Sequence, residues 1–245
     1  MSVATYIRYE ILRTVRNRRF MILALGFPLV IYFLIATPNR HETNLGGTGI
    51  SAPLYLMVGL VAFGTMNAML GSGARIAAER SAGWNRQLRI TPLSARTYFR
   101  TKVLTGYMLA AMTMVLLYTA GSVLGVRLTA NEWVKMTALL LVGLIPFAAL
   151  GILFGHLLTP DSIGPAIGGL TAALSILGGV WFPVTGHGIL HDIALGLPSY
   201  WLVQAAHIGV GGHGWDRTGW VVWVVWTLAA AYFARRAYER DTKRT

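Results

Sequence analysis

Few residues in this chain can do chemistry, and their spacing limits what they do. His187 and His191 stand four apart with Asp192 adjacent, a spacing that on one helical face could hold zinc. Gly186 and Gly188 weaken a helix there, so the pattern reads as interfacial polar surface, and no His-Glu-x-x-His sequence occurs. His156, His207 and His213 are isolated and read as structural. Ser175 has no histidine or acid near it in sequence, and Gly71-Ser72-Gly73 lacks the Gly-x-Ser-x-Gly spacing of a nucleophile turn. A phosphate-cradling loop needs Gly-x-x-x-x-Gly-Lys-Ser/Thr, yet none of the three lysines, Lys102, Lys135 and Lys243, follows a glycine. There is no cysteine, hence no thiol nucleophile, thiolate metal site or disulfide. The residues point to no catalytic centre, no bound cofactor or metal, and no energy source within the chain.

One stretch is chemically distinctive. Residues 75–102 form a charged island with seven basic residues and a single acid, Glu79. Ala74 to Arg80 continues a helix out of the preceding apolar run, and Gly83 can end it. Residues 84–90 can form a short helix, and Thr91-Pro92-Leu93-Ser94 is a stop, with Ser94 able to cap the next helix. The island reads either as an ordinary basic loop or as a short helix docked into a partner. In the second reading Trp84, Leu88 and Ile90 offer apolar contact, and Glu79, Arg86 and Arg89 offer ion pairs.

The elements that position this island are apolar. The 245-residue chain is 55% hydrophobic and only 12% charged, against roughly 25% charged in soluble proteins. Apolar runs at 20–36, 52–74, 103–126, 136–158, 163–183 and 219–238 predict an all-α integral membrane protein of six spans forming one transmembrane domain. The first is short and carries Pro28, which should kink it. Residues 1–19 place Val3, Ile7, Ile11 and Val15 on one face and five arginines elsewhere, an amphipathic helix suited to the membrane surface. Residues 197–207 are too short and polar to span. They read as an external interfacial or re-entrant helix, with Ser199 as its N-cap.

Charge sets the orientation. With the N-terminus inside, the N-terminal helix, the island and the tail hold seventeen of the 21 Lys and Arg, leaving Arg40, Arg127, Lys135 and Arg217 outside. Both termini are then cytoplasmic, and Trp133, Trp215 and Trp220 fall at the outer boundary. The net charge of +12 is thereby explained by the lipid bilayer, with no nucleic-acid partner required. Glycines pattern the spans: Gly151 and Gly155 form one small-residue face, Gly164 and Gly168 another. Such faces serve packing within one copy, or a seam between copies around a central pathway. Asn67, Thr171 and Ser175 could line that pathway, with Met66, Met69 and Phe182 as apolar contacts.

The island also carries a family resemblance. Glu79-Arg80-Ser-Ala-Gly83-Trp84-Asn-Arg86-Gln-Leu88-Arg89-Ile-Thr91-Pro92-Leu93-Ser94 resembles the cytoplasmic loop of ABC-2 type transporter permeases. That loop reads Glu-Arg-x-x-Gly-Thr-x-x-x-Leu-x-x-Thr-Pro-Leu-Ser, and Trp84 stands where Thr is common. Glu10, Arg13, Asn17 and Arg19 resemble the family's opening helix, and residues 197–201 its segment before the last span. The resemblance implies a permease half that works with a second permease copy, identical or related, and with separate ATPase subunits that bind ATP and Mg. It implies a coupling helix at 84–90, with Glu79, Arg80, Gly83, Trp84, Leu88, Arg89, Thr91 and Pro92 as coupling residues. It implies that the second and fifth spans face a central cavity. Export of a drug, antibiotic, lipid or peptide through the plasma membrane would follow. A stand-alone channel is the alternative.

Overall fold

A computed structural model describes residues 3–83, 95–184 and 188–243, and all regular structure among them is helical. In chain order the helices are α1 (Val3–Arg16), α2 (Arg18–Ala36), α3 (Ala52–Ser81), α4 (Ala95–Val123), α5 (Ala130–Gly143), α6 (Ile145–Leu157), α7 (Pro160–Leu177), α8 (Ile189–Leu195), α9 (Pro198–Gln204) and α10 (Arg217–Lys243). Short 3-10 turns lie at Leu45–Gly47 and Ala205–Val210.

The bundle is built around α3. This helix packs against α2, α4, α6 and α7, and almost every residue from Ala52 to Leu70 is buried. Its sequence explains this, because it is apolar on all sides and rich in glycine, and a helix apolar all round belongs in a core. Gly73 lies against the backbone of Gly151 and Gly155 on α6, where any side chain would collide with main-chain atoms. The Gly151/Gly155 face therefore packs within one copy. Gly164 and Gly168 on α7 meet nothing within 4 Å. At 30 residues α3 is also longer than the run 52–74. It rises roughly 45 Å, enough to cross a ~30 Å hydrocarbon core and project well beyond it. It ends as its sequence anticipates, at Gly83 with φ +70°.

By length and apolarity, four helical stretches suffice to cross a bilayer: α2, α3, α4 and the α5–α6 pair. Helix α8 and the helical stretch Pro198–Val210 meet at 87° and together make a fifth candidate, as a broken span or a re-entrant loop. Helices α7 and α10 occupy the places expected for the fifth and sixth spans but fall short of the same measure. Helix α7 opens on polar residues and contains Gly and Pro. Helix α10 ends in a charged turn.

Local chemistry accounts for several departures from the sequence expectations. The expected fourth span divides at Leu144, because Pro146 takes the first turn of a new helix. Helix α2 instead runs through Pro28 without a break and is capped by Asn17, whose side chain accepts from Phe20 N at 3.2 Å. The tight turn at residues 159–162 is the N-terminus of α7, with Thr159 and Ser162 forming a reciprocal capping box. Helix α9 starts at Pro198, so Ser199 lies inside its first turn rather than capping it. Trp215 is buried, its indole donating to Trp201 O at 2.6 Å.

Candidate functional site

The charged end of the bundle is organised by two neighbouring residues at the end of α3, Glu79 and Arg80. Glu79 is 4% exposed. Its Oε1 accepts from Lys102 Nζ on α4 at 2.6 Å and from Arg13 Nη1 on α1 at 3.2 Å. Its Oε2 accepts from Tyr98 OH on α4 at 2.7 Å. Lys102 is fully buried and also donates to Glu10 Oε1 on α1 at 2.6 Å. A single ammonium thus bridges two carboxylates and joins α1, α3 and α4. Burial makes this arrangement obligatory: a buried charge is tolerated only when paired and hydrogen-bonded.

Helix α1 is held by this contact. Its buried face is Tyr6, Glu10 and Thr14, not the apolar line through Val15, which is exposed. Periodicity showed only the apolar line suited to the membrane surface, and the face that packs on the protein lies beside it, with Glu10 at its centre. Burial pushes the Tyr6 phenol up, and the nearby Glu79 and Glu10 carboxylates add to the shift, so it stays protonated.

Arg80 works in the opposite direction. Its Nη1 donates to Gly155 O at 2.7 Å and to Leu158 O at 3.4 Å, satisfying carbonyls at the C-terminus of α6. Its Nε pairs with Asp241 Oδ2 at 3.0 Å, near the end of α10. Asp241 also accepts from His156 Nδ1 at 3.1 Å. The His156 ring packs edge-on against Phe99 and Tyr238. Consecutive residues therefore tie the end of α3 to four helices at this end of the molecule: α1 and α4 through Glu79, α6 and α10 through Arg80.

Between the stems that these residues fix lies the expected coupling segment. Trp84, Leu88, Arg89, Thr91 and Pro92 lie outside the described residues, as do Ser94 and His187. Gly83 is described and takes a left-handed conformation, with φ +70°, just after α3. Glu79 and Arg80 spend their hydrogen bonds inside the chain, so they hold the segment from behind. The sequence did not single out Lys102, Glu10, Tyr98, Asp241 or His156 as site residues. A signal for one of them was present: Glu10, like Glu79, is a lone acid in a strongly basic segment, and both are used internally.

The expected pathway residues lie on α3, on α7 and in the segment that follows α7. Asn67 lines a groove of about 460 Å³ among α2, α3, α4 and α7, with Phe20, Phe27, Phe63, Gly71 and Ala74. Its Nδ2 donates back to Phe63 O at 3.1 Å. Met66 is buried in the core, and so is Met69. Thr171 and Ser175 lie on the buried face of α7, and their hydroxyls have no hydrogen-bond partner. Phe182 is 80% exposed. At the other end, Lys135, His213, Trp215 and Trp220 share a second pocket of about 420 Å³. Among the described residues no group of three or more His, Asp or Glu could hold a metal.

A helical bundle with several apolar crossings, and with its ionic groups gathered where α3 and α4 flank a basic segment, defines a multi-span membrane protein. The family model for the ABC-2 family transporter protein matches residues 37–234, and the chain belongs to that family. It is also 26% identical over 226 residues to a protein of Bacillus subtilis (strain 168) named "Putative transport permease YvfS", covering 91% of this chain and 89% of that one.

Proposed function

We propose that this chain is the membrane-spanning permease subunit of an ATP-driven exporter, working with a separate ATPase subunit and a second permease copy. Family membership supports the transport role, and the absence of any phosphate-cradling sequence assigns ATP and Mg to the partner. In this reading α2, α3, α4, the α5–α6 pair, α7 and α10 are six spans of the plasma membrane. Helix α1 lies on the inner surface, residues 189–210 lie at the outer one, and both termini are cytoplasmic. The observation that carries the coupling assignment is the pair of clamps at Glu79 and Arg80. They fasten the segment 84–94 to five helices, so a displacement of that segment cannot be absorbed locally.

The clamps give a mechanism in terms of this chain's own residues. Trp84, Leu88 and Arg89 supply the ATPase contact. Closure of the ATPase pair displaces the segment, and Gly83 lets it leave α3 at a sharp angle. Lys102 makes α1, α3 and α4 move together, whereas Arg80 hands the displacement to α6 and α10. Rigid-body movement of helices around α3 then opens a path for an amphipathic substrate.

The test is the assembled complex. Leu88→Asp with Arg89→Glu is expected to lower ATPase activity by roughly tenfold or more, the loss that follows from removing about 1.4 kcal/mol of interface energy, while the permease still elutes as the wild type does. Undiminished activity and copurification in that variant would remove the coupling assignment.

A further inference from the structure

The apolar groove and one arginine above it share a face of α3. On that helix the groove is lined by Phe63, Asn67, Gly71 and Ala74. Arg75 follows Gly71 by four residues, which puts it on the same stripe at the charged end. Its Nε and Nη2 are buried and have no hydrogen-bond partner. Arg75 lies within electrostatic reach of Glu10, Glu79, Arg13 and Tyr98. Both carboxylates are already engaged, by Lys102 and, at Glu79, by Arg13 and Tyr98. Three cations, Arg13, Arg75 and Lys102, therefore stand against two carboxylates, and the surplus charge falls on the arginine with unused donors.

We propose that the groove and the Arg75 guanidinium together hold one anionic phospholipid of the surrounding membrane, its acyl chain along α3 and its phosphate on Arg75. From Phe63 to Ala74 the helix rises roughly 16 Å, about the hydrocarbon depth of one leaflet, half of a ~30 Å core. The lining is predominantly aromatic, aliphatic and glycine, with one amide at Asn67 and one hydroxyl at Thr113, which is spent on Leu109 O, as suits an acyl chain. Arg75 has a long stem, and turning its head toward the groove breaks no hydrogen bond through Nε or Nη2. A guanidinium binds a phosphate through two parallel N–H groups. Arg18 and Arg19 on the first turn of α2, just before Phe20, are exposed at the same end, where water and salt screen their charge. Asp161, one turn before Gly164, is the acid on that rim. The site rests on the placement of these helices in a bilayer and is independent of ATPase coupling.

The test uses the full chain in nanodiscs of equal phosphatidylcholine and phosphatidylglycerol, with retained lipid weighed by native mass spectrometry. The wild type is expected to keep phosphatidylglycerol over phosphatidylcholine by roughly tenfold, and Arg75→Gln to erase that preference. Gly71→Leu, whose added side chain starts in open space, is expected to fold and to reduce retention of both lipids. Exposed Arg19→Gln is expected to leave the preference unchanged. Millimolar inorganic phosphate, a headgroup without a chain, is expected not to displace the lipid. A preference that survives Arg75→Gln, or that falls equally in Arg19→Gln, overturns the proposal. So does retention indifferent to Gly71→Leu, or displacement by phosphate alone. Should Arg75→Gln fail to fold, Arg75→Lys keeps the charge but loses the forked donor edge, and an unaltered preference in it is equally fatal.

Discussion

At the scale of single residues, Lys102 is the group on which the charged end depends. It is fully buried, and its ammonium makes the ion pairs with Glu10 and Glu79. Replacing it with methionine keeps the volume of the side chain but leaves two buried carboxylates without their shared cation. Lys102→Met is expected to lower stability by about 3–5 kcal/mol, measured by thermal unfolding of the purified chain. Adding Glu10→Gln and Glu79→Gln removes the stranded charges and should recover much of that loss. Equal stability of Lys102→Met and wild type would mean that the cluster is not closed. The neighbouring Arg80–Asp241 pair is partly exposed, at 25% and 21% of its side chains. Asp241→Asn is therefore expected to cost only about 1 kcal/mol or less, because Arg80 keeps its bonds to the α6 carbonyls.

At the scale of elements, glycines divide into those that set helix–helix distances and those that do not. A Cβ on Gly151 would come within 2.6 Å of Met69 O, and backbone cannot move aside as a side chain can. Gly151→Leu is expected to separate α3 from α6 and abolish the folded peak in size-exclusion chromatography. Gly168→Ala on α7 meets nothing within 4 Å. Removing a helical glycine there is expected to stabilise the chain slightly, by up to ~1 kcal/mol, read as a raised unfolding temperature. A loss of folding in Gly168→Ala would show that this face of α7 packs more closely than the structure has it. Sequence spacing gave both glycine pairs the same standing. Only the path of α6 beside α3 distinguishes them.

At the scale of the whole molecule, the arrangement of charge predicts sidedness. The native chain has no cysteine, so single introduced thiols report position directly. Asn131→Cys, at the start of α5, is expected to react with an impermeant maleimide in intact cells. Ser81→Cys, at the end of α3, is expected to react only after permeabilisation. The opposite pattern would invert the topology and with it the coupling mechanism. Much of this large-scale picture was legible in the chain itself. Apolar runs located the helices within a few residues, Gly83 located the end of α3, and the island named the family, because each is a property of adjacent residues. The inner face of α1, the break at Leu144 and the clamps were not legible. Glu10, Glu79 and Lys102 are separated by up to 92 residues, and nothing local says whether a lone acid among arginines faces water or a buried ammonium. The sequence by itself determined that the chain is a helical membrane protein, since hydropathy and charge asymmetry act through the solvent, and its island resembles the loop of a transporter family. Only the tertiary structure decided which charges are spent inside and which donors remain at Arg75, because pairing in a low-dielectric interior depends on which helices meet.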